Sequence, residues 1–363
     1  MSPLDLPLDL PLEPALGPAA QAMVAPVFLA CILSVAREHE VPLTALFRGL
    51  EIDAADLDVP NMVISQRDAI TVVRRALALM PISEKGLALG QRARITERGA
   101  LALGQLSAAT LGDAIDLSVR HASSAGCLLQ VREVLSSEGH QLLLEAHPGD
   151  QDLQRFLVDL TFASVVQLRR QITSARYSPV LVELVCEAPT NADAYEAFFG
   201  CPVHFASLRN ALITPARWLG FRLPWANVMA SRLSVQLLES QAVRLQSMPA
   251  VGFSVERAIR RCLPEVADLA RVAASLNLSE RTLRRQLAQV GLSYRQLLDL
   301  SRKSLALELM SGRRRPVAEL AAATGFSDAR AFTRAFKRWT GRPPSQIRDR
   351  HAAGEIVAAG HDG

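Results

Sequence analysis

The sequence has little of what marks a secreted, metal-binding or membrane-embedded protein. Its five cysteines, Cys31, Cys127, Cys186, Cys201 and Cys262, are odd in number and form no CxxC pair. That indicates neither a disulfide framework nor a zinc site, and it suits a reduced cytoplasm. No run of about 18 apolar residues occurs, so no membrane span is expected. The N-terminal MSPLDLPLDLPLEPALGP lacks a basic segment and is broken by prolines, which argues against a signal peptide. No Walker loop or GxGxxG follows a strand-like run, so nucleotide chemistry has no support. Neither a metal nor a cofactor is expected.

What is present is an uneven distribution of charge. Over 363 residues the net charge is only +4. Residues 251–350, however, hold 18 Arg and 2 Lys against 9 Asp and Glu, a local +11. The remainder holds 20 basic and 27 acidic residues, a net −7. A basic C-terminal module joined to an acidic N-terminal one points to a polyanionic partner for the former. Length predicts two domains, and 49% apolar residues supply real cores.

Residues 1–22 carry an LDLP repeat and predict a disordered, Pro-rich tail. Mostly helices are expected from Val24 to about Gly104, broken near Pro42, Pro60 and Pro81. Another helix, over 107–124, starts at Thr110 or Asp113. CLLQVREVL (127–135) and QLLLEAH (141–147) flank the turn signal SSEG and predict a hairpin. A long helix follows over 152–172, then a strand over 180–189 and a short helix in AYEAFFG. VHFAS and NALITP read as short strands, and 226–248 as a helix that connects or dimerises. Residues 23–248 thus form an α+β sensor domain. An all-α domain occupies 254–350, and a flexible tail covers 351–363.

The all-α region contains a repeat. DLARVAASLNLSERTLRRQLAQVG (268–291) aligns with VAELAAATGFSDARAFTRAFKRWTG (317–341). Each copy has a short Ala-rich helix, a turn and a serine (Ser279 or Ser327) at a cap position. A second helix then stops at Gly291 or Gly341. This is the helix-turn-helix pattern, twice. At 100° per residue, Leu283 and Leu287 face inward in the first copy. Arg281 and Arg285 point nearly opposite, with Arg284 on the flank. In the second copy Phe332, Phe336 and Trp339 share the inner face, while Arg330, Arg334 and Lys337 lie opposite. One basic helix alone reads as a solvated face; two with matching turns, cores and outward arginines read as a nucleic-acid surface. Between them, SYRQLLDLSRKSLALELMSG (293–312) predicts one long helix, with Leu298, Arg302, Leu305 and Leu309 recurring on it. Such a helix fixes the spacing of two units that read successive major-groove segments. The loop Arg313–Arg315 is a phosphate-contact candidate.

These residues resemble a known family. LARVAASLNLSERTLRRQLAQVGLSYRQLL, RKSLALELM and VAELAAATGFSDARAFTRAFKRWTGRPPSQIR are similar to the DNA-binding domain of the AraC/XylS transcription regulators of bacteria. The resemblance implies base reading by outward residues early in each second helix. Here those are Arg281, Arg284 and Arg285, then Arg330, Ala331, Thr333 and Arg334. Ala329 and Ala331 offer only apolar contact, for example to a thymine methyl. Lys337, Arg338 and Arg342 are phosphate candidates. AYEAFFGCPVHFASLRNALITPARWL (194–219) and GLALGQRARITERGALALGQLSAATLGDAI resemble the arabinose-binding-type N-terminal domain. No cupin-like histidine and glycine pattern accompanies them. The resemblance implies a cytoplasmic regulator, an activator by expectation. It binds promoter DNA, with RNA polymerase, an unknown small-molecule effector and a second copy of itself as further partners.

Two other readings compete: a DNA-binding module serving an N-terminal enzyme, and a nucleoid-type protein with little sequence preference. For an enzyme, Cys201 and His204 are the nearest pair, but a separation of three puts them on opposite faces of a strand. His121, on an amphipathic helix, reads as a satisfied or exposed histidine rather than a ligand. His39, His140 and His147 have no useful spacing.

Overall fold

Prolines punctuate the first helices. Pro26 precedes α1 (Val27–Glu38), Pro42 precedes α2 (Leu43–Phe47), and α3 (Gln66–Leu79) ends at Met80, just before Pro81. Proline lacks an amide hydrogen and disfavours helix in the residue before it, so it suits helix starts and follows helix ends. The computed structural model describes residues 23–59, 62–123, 125–145, 150–265, 267–311 and 315–347. Both expected tails, the break at Pro60, Arg313 and Arg314 lie outside the described residues. The chain divides into two units between Ser247 and Met248.

In unit 1, polar caps start the helices where the pattern places them. Ser65 accepts from the Asp68 amide at α3. Thr110 starts α6 (Leu111–Arg120) with a full capping box, Asp113 reaching back to the Thr110 amide. Asp150 caps α7 (Gln151–Ile172) through the Leu153 amide. Each cap satisfies an amide that the helix cannot. Between them lie α4 (Lys85–Gly90) and α5 (Ala100–Ser107).

Strands β1 (Met23–Val24) and β2 (Ile64–Ser65) form a small antiparallel pair. The main sheet contains β3 (Gln130–Ser136), β4 (Gly139–Glu145), β5 (Leu181–Glu183), β6 (Val203–His204) and β7 (Asn210–Pro215), in the order β3-β4-β7-β5-β6. All neighbours are antiparallel except β5 and β6. The expected hairpin is β3–β4, with residues 146–147 outside the described part. The expected strand over 180–189 is cut to three residues. At Val185 the amide turns to the Asn210 side chain (3.0 Å), which ends the ladder. His140, Leu142 and Leu144 are buried on β4, and the two leucines share one core with Val182, Leu212 and the apolar face of α7. After α8 (Asp193–Phe199), unit 1 ends in α9 (Val228–Ser247).

Two glycines one turn apart bring α4 onto α7. A Cβ on Gly86 would stand 2.6 Å from the Phe156 carbonyl oxygen, and one on Gly90 would stand 2.4 Å from Ala163 Cβ. Only a residue without a side chain permits that approach. Beside it, the buried Tyr195 hydroxyl donates to Asp159 (2.6 Å), and Arg155 donates to Glu84 (2.9 Å).

Unit 2 is wholly helical among its described residues: α10 (Ala250–Cys262), α11 (Leu269–Ser275), α12 (Glu280–Gln289), α13 (Tyr294–Ser311), α14 (Val317–Ala323) and α15 (Ala329–Thr340). It has two cores. Val255 and Ile259 of α10, Val272 of α11, Leu283 and Leu287 of α12 and Leu297 of α13 form the first. Ala306 and Met310 of α13, Leu320 of α14, Phe332 and Phe336 of α15 and Ile347 form the second. Helix α13 thus belongs to both. Its deepest residues are Leu297, Ser301, Ala306 and Met310, whereas the expected stripe of Leu298, Arg302, Leu305 and Leu309 is half-buried. Two cores covering one helix on two sides bury more than a single stripe.

One cap differs from expectation. Ser279 caps α12, accepting from the Thr282 amide (3.2 Å). Helix α15 is capped by Asp328, through the Ala331 amide (2.7 Å), and not by Ser327. The second turn is one residue longer. Asn277 (φ +54°) stands two residues before its cap, and Gly325 (φ +74°) stands three before. Aligning the serines therefore misses the cap by one position.

Asp328→Ala is expected to lower the melting temperature of unit 2, while Ser327→Ala leaves it unchanged; differential scanning calorimetry of both variants checks this. Gly90→Leu should cost unit 1 about 1–3 kcal/mol by forcing α4 off α7, measured by urea unfolding.

Candidate nucleic-acid interface

The two second helices present arginines at the same offset from their caps. Arg281 and Arg285 follow Ser279 by two and six residues, and Arg330 and Arg334 follow Asp328 by two and six. One turn apart, each pair lies on one helix face, opposite the buried Leu283/Leu287 and Phe332/Phe336. All four arginines are exposed, and none has an ion-pair partner among the described residues. Helix and core leave their guanidinium forks free for an outside acceptor.

The other expected residues divide. Arg284 is exposed and pairs with Glu280 one turn back (3.3 Å). A surface pair of this kind contributes only about 0.3–0.5 kcal/mol, so it yields readily to a phosphate or a base. Lys337 and Arg342 are exposed and unpaired among the described residues. Arg338 is held by Asp299 of α13 (2.9 Å), which ties α15 to the shared helix. Ala331 is half-buried, with its amide on the Asp328 cap. Thr333 is half-buried too, and its hydroxyl donates to the Ala329 carbonyl (2.7 Å). That leaves the Thr333 methyl and an oxygen lone pair for outside contact. Backbone amides, Ala331 first, hold the Asp328 carboxyl below the usual range, and the Arg334 charge adds to this.

A contact the sequence did not signal fixes the second helix pair. Arg302 of α13 donates to the Gly325 carbonyl (2.9 Å), and its guanidinium lies 4.5 Å from the Phe326 ring centroid. Phe326 in turn packs against Phe332 and Trp339 at 5.7 and 5.8 Å. Gly325 needs its glycine twice, for its positive φ and because a Cβ would meet Leu263 at 2.9 Å. Arg260 of α10 also pairs with Glu308 of α13 (2.5 Å). The second turn is thereby anchored to the helix that joins the two pairs, and α10 is tied to the same helix.

Unit 1 contains a cavity of about 150 Å³ between α1, the turn Ile95–Arg98, α6, the β3–β4 hairpin and α7. Phe28, Leu128, Leu142, Leu157 and Leu160 line it, together with Arg94, Glu97, Arg98, Gln105 and Arg169. Burial pushes the Cys31 thiol in its wall up to about 11, so it stays protonated. The cluster of Glu84, Arg155, Asp159 and Tyr195 does not line this cavity. Cys201 is half-buried and raised to about 11, chiefly by burial, while His204 is exposed on β6. His121 is buried at the end of α6, and burial lowers its pKa, followed by the Arg120 charge. Among the described residues no group of three or more His, Cys, Asp or Glu side chains is placed to hold a metal ion. No helix there is long and apolar enough to cross a membrane.

Comparison with known proteins assigns both halves. Residues 41–223 match the family described as the arabinose-binding domain of AraC transcription regulator, N-terminal, and residues 272–350 match a helix-turn-helix domain. The ornithine utilization regulator of Pseudomonas aeruginosa is 30% identical over 90% of this chain and 96% of its own length. The transcriptional regulator VqsM of the same organism is 27% identical over 81% of this chain and 93% of its own. A crystal structure of the transcriptional regulator CdpR from Pseudomonas aeruginosa covers 89% of this chain and 98% of that chain, at 23% identity and a TM-score of 0.44. The chain belongs to the AraC family of transcription regulators, with an arabinose-binding-type domain ahead of a DNA-binding helix-turn-helix domain.

Proposed function

We propose that α12 and α15 read promoter DNA together, each in its own major-groove segment, and that unit 1 adjusts this reading when a small molecule fills its cavity. The observation that carries the proposal is the repeated arginine pair. Arg281/Arg285 and Arg330/Arg334 stand exposed and unpaired at equal offsets from two caps, on helices anchored to one shared helix. An arginine fork reaches guanine O6 and N7 at once. Helix α13, with 18 residues, is about 27 Å long, commensurate with a groove repeat of about 34 Å. Arg284, Ala331 and Thr333 complete the base-facing set, and Lys337, Arg338 and Arg342 hold the backbone. Arg338 exchanges Asp299 for a phosphate.

In this reading the protein works in the cytoplasm, beside its DNA, and activates transcription by engaging RNA polymerase. Two copies pair through α9, where Met229, Leu237 and Val243 stand exposed within about a third of the circumference. The ornithine utilization regulator supports a metabolic effector by its name, and the largely apolar walls of the cavity suit a small molecule.

Arg330→Ala should weaken binding to a selected operator by about 1–3 kcal/mol and relax preference at one base pair. Lys337→Ala should weaken binding to all sequences alike and reduce the salt slope by about 1. Fluorescence anisotropy across a salt series separates the two effects. An Arg334→Ala protein with unchanged affinity and preference would show that α15 does not read bases.

A further inference from the structure

The cavity of unit 1 holds positive charge that the protein leaves unneutralised. Three guanidinium groups, Arg94, Arg98 and Arg169, line it against one carboxylate, Glu97. None of the four takes part in an ion pair among the described residues. Arg98 Nε is shut off from solvent and meets no hydrogen-bond acceptor. Arg169 is only 5% exposed. Its Nη1 donates to the Tyr177 hydroxyl (2.9 Å) and to Thr214 Oγ1 (2.6 Å). Those neutral oxygens aim the side chain without cancelling its charge. Burial lowers the Arg98 pKa, a sign that its charge is poorly solvated. Charged groups enter apolar interiors at a high cost unless a counter-charge meets them.

The neutral polar groups of the cavity are mostly committed to the protein. Thr161 donates to the Leu157 carbonyl (2.7 Å), Ser118 to the Ala114 carbonyl (2.7 Å), and Gln105 Nε2 to Ser118 (2.7 Å). Among the described lining residues, Gln105 Oε1 is buried without a partner and the half-buried Ser164 hydroxyl makes no hydrogen bond to the protein. Two such groups are few for a sugar, which needs several hydroxyl partners. The remaining wall is aliphatic and aromatic, with Phe28, Leu128 and Leu160 as examples. A volume of about 150 Å³ is the size that admits benzene.

We propose that this cavity binds a small carboxylic acid, with Arg98 and Arg169 receiving the carboxylate and the apolar walls enclosing a body about the size of a benzene ring. A hydroxyl or amino group on that body donates to Gln105 Oε1. The inference deepens the proposal that unit 1 senses a small molecule and rests on it.

Isothermal titration calorimetry on the full chain tests it. The probes are benzoate, the three hydroxybenzoates, phenylacetate and hexanoate, each beside its uncharged amide, with L-arabinose as the neutral sugar. At least one acid should bind ten-fold or more tightly than its amide. Arg98→Met should abolish that preference while the ligand-free melting temperature holds or rises, since the variant removes a half-buried charge that has no ion-pair partner among the described residues. A purely structural Arg98 would instead lower the melting temperature. Wild-type protein that binds no acid, or binds an amide or arabinose as tightly as the acids, overturns the inference whatever the variant does. DNA affinity measured on the same samples separates the two proposals. Acid binding without any change in DNA affinity keeps the carboxylate site and sinks the sensing role. Intact DNA reading with no acid bound does the reverse for the site.

Discussion

The DNA-binding unit depends on one shared helix. If α13 belonged to a single core, the two arginine-bearing helices α12 and α15 would be independent of one another. Instead Leu297 is buried among α10, α11 and α12, while Ala306 and Met310 are buried among α14 and α15. The Arg302 guanidinium closes the joint, donating to the Gly325 carbonyl and covering the Phe326 ring. That one side chain satisfies a turn carbonyl, packs on an aromatic core and sits on the connecting helix, so the second turn cannot drift without breaking it. Asp299, through Arg338, adds a second tie from the same helix. Under the proposed function, two readers on one frame would recognise a longer site than either alone, because each block of sequence must fall at the right distance from the other.

Unit 1 answers a different constraint. Its core is built by close approach, with α4 laid on α7 at Gly86 and Gly90, and α7 sharing a core with the sheet. Most of what α7 buries is apolar. Its buried Arg169 reaches β7 through Thr214 and is oriented by Tyr177, yet no acid balances it among the described residues. A fold that buries a charge beside a cavity and leaves it uncompensated keeps a place for something that is not part of the chain.

Local signals made much of this legible. Thr110 with Asp113, Ser279 and the SSEG turn signal are short-range patterns, and each became the cap or hairpin expected of it. The outward arginines were readable because helix periodicity alone sorts Arg281 and Arg285 from Leu283 and Leu287. The structure departs from these local patterns where longer-range geometry decides. The second turn holds one extra residue, which moved the cap from Ser327 to Asp328. Strand β5 stops early because a side chain from β7 takes its next amide. The buried set on α13 shifted because two cores share it. Arg98 and Arg169 carried no signal at all, for an arginine facing a cavity reads like one facing water until the walls are in place. Arg169 sits within LRRQI at the end of a helix, where basic residues are ordinary.

The central claim is joint reading of DNA by α12 and α15 on a common helix. Selection of bound sequences from a random duplex pool by the full-length protein, at near-physiological salt, tests it most directly. Joint reading predicts an enriched motif of two short specific blocks about ten base pairs apart, centre to centre. A single block, or no enrichment with binding that merely fades as salt rises, would contradict it.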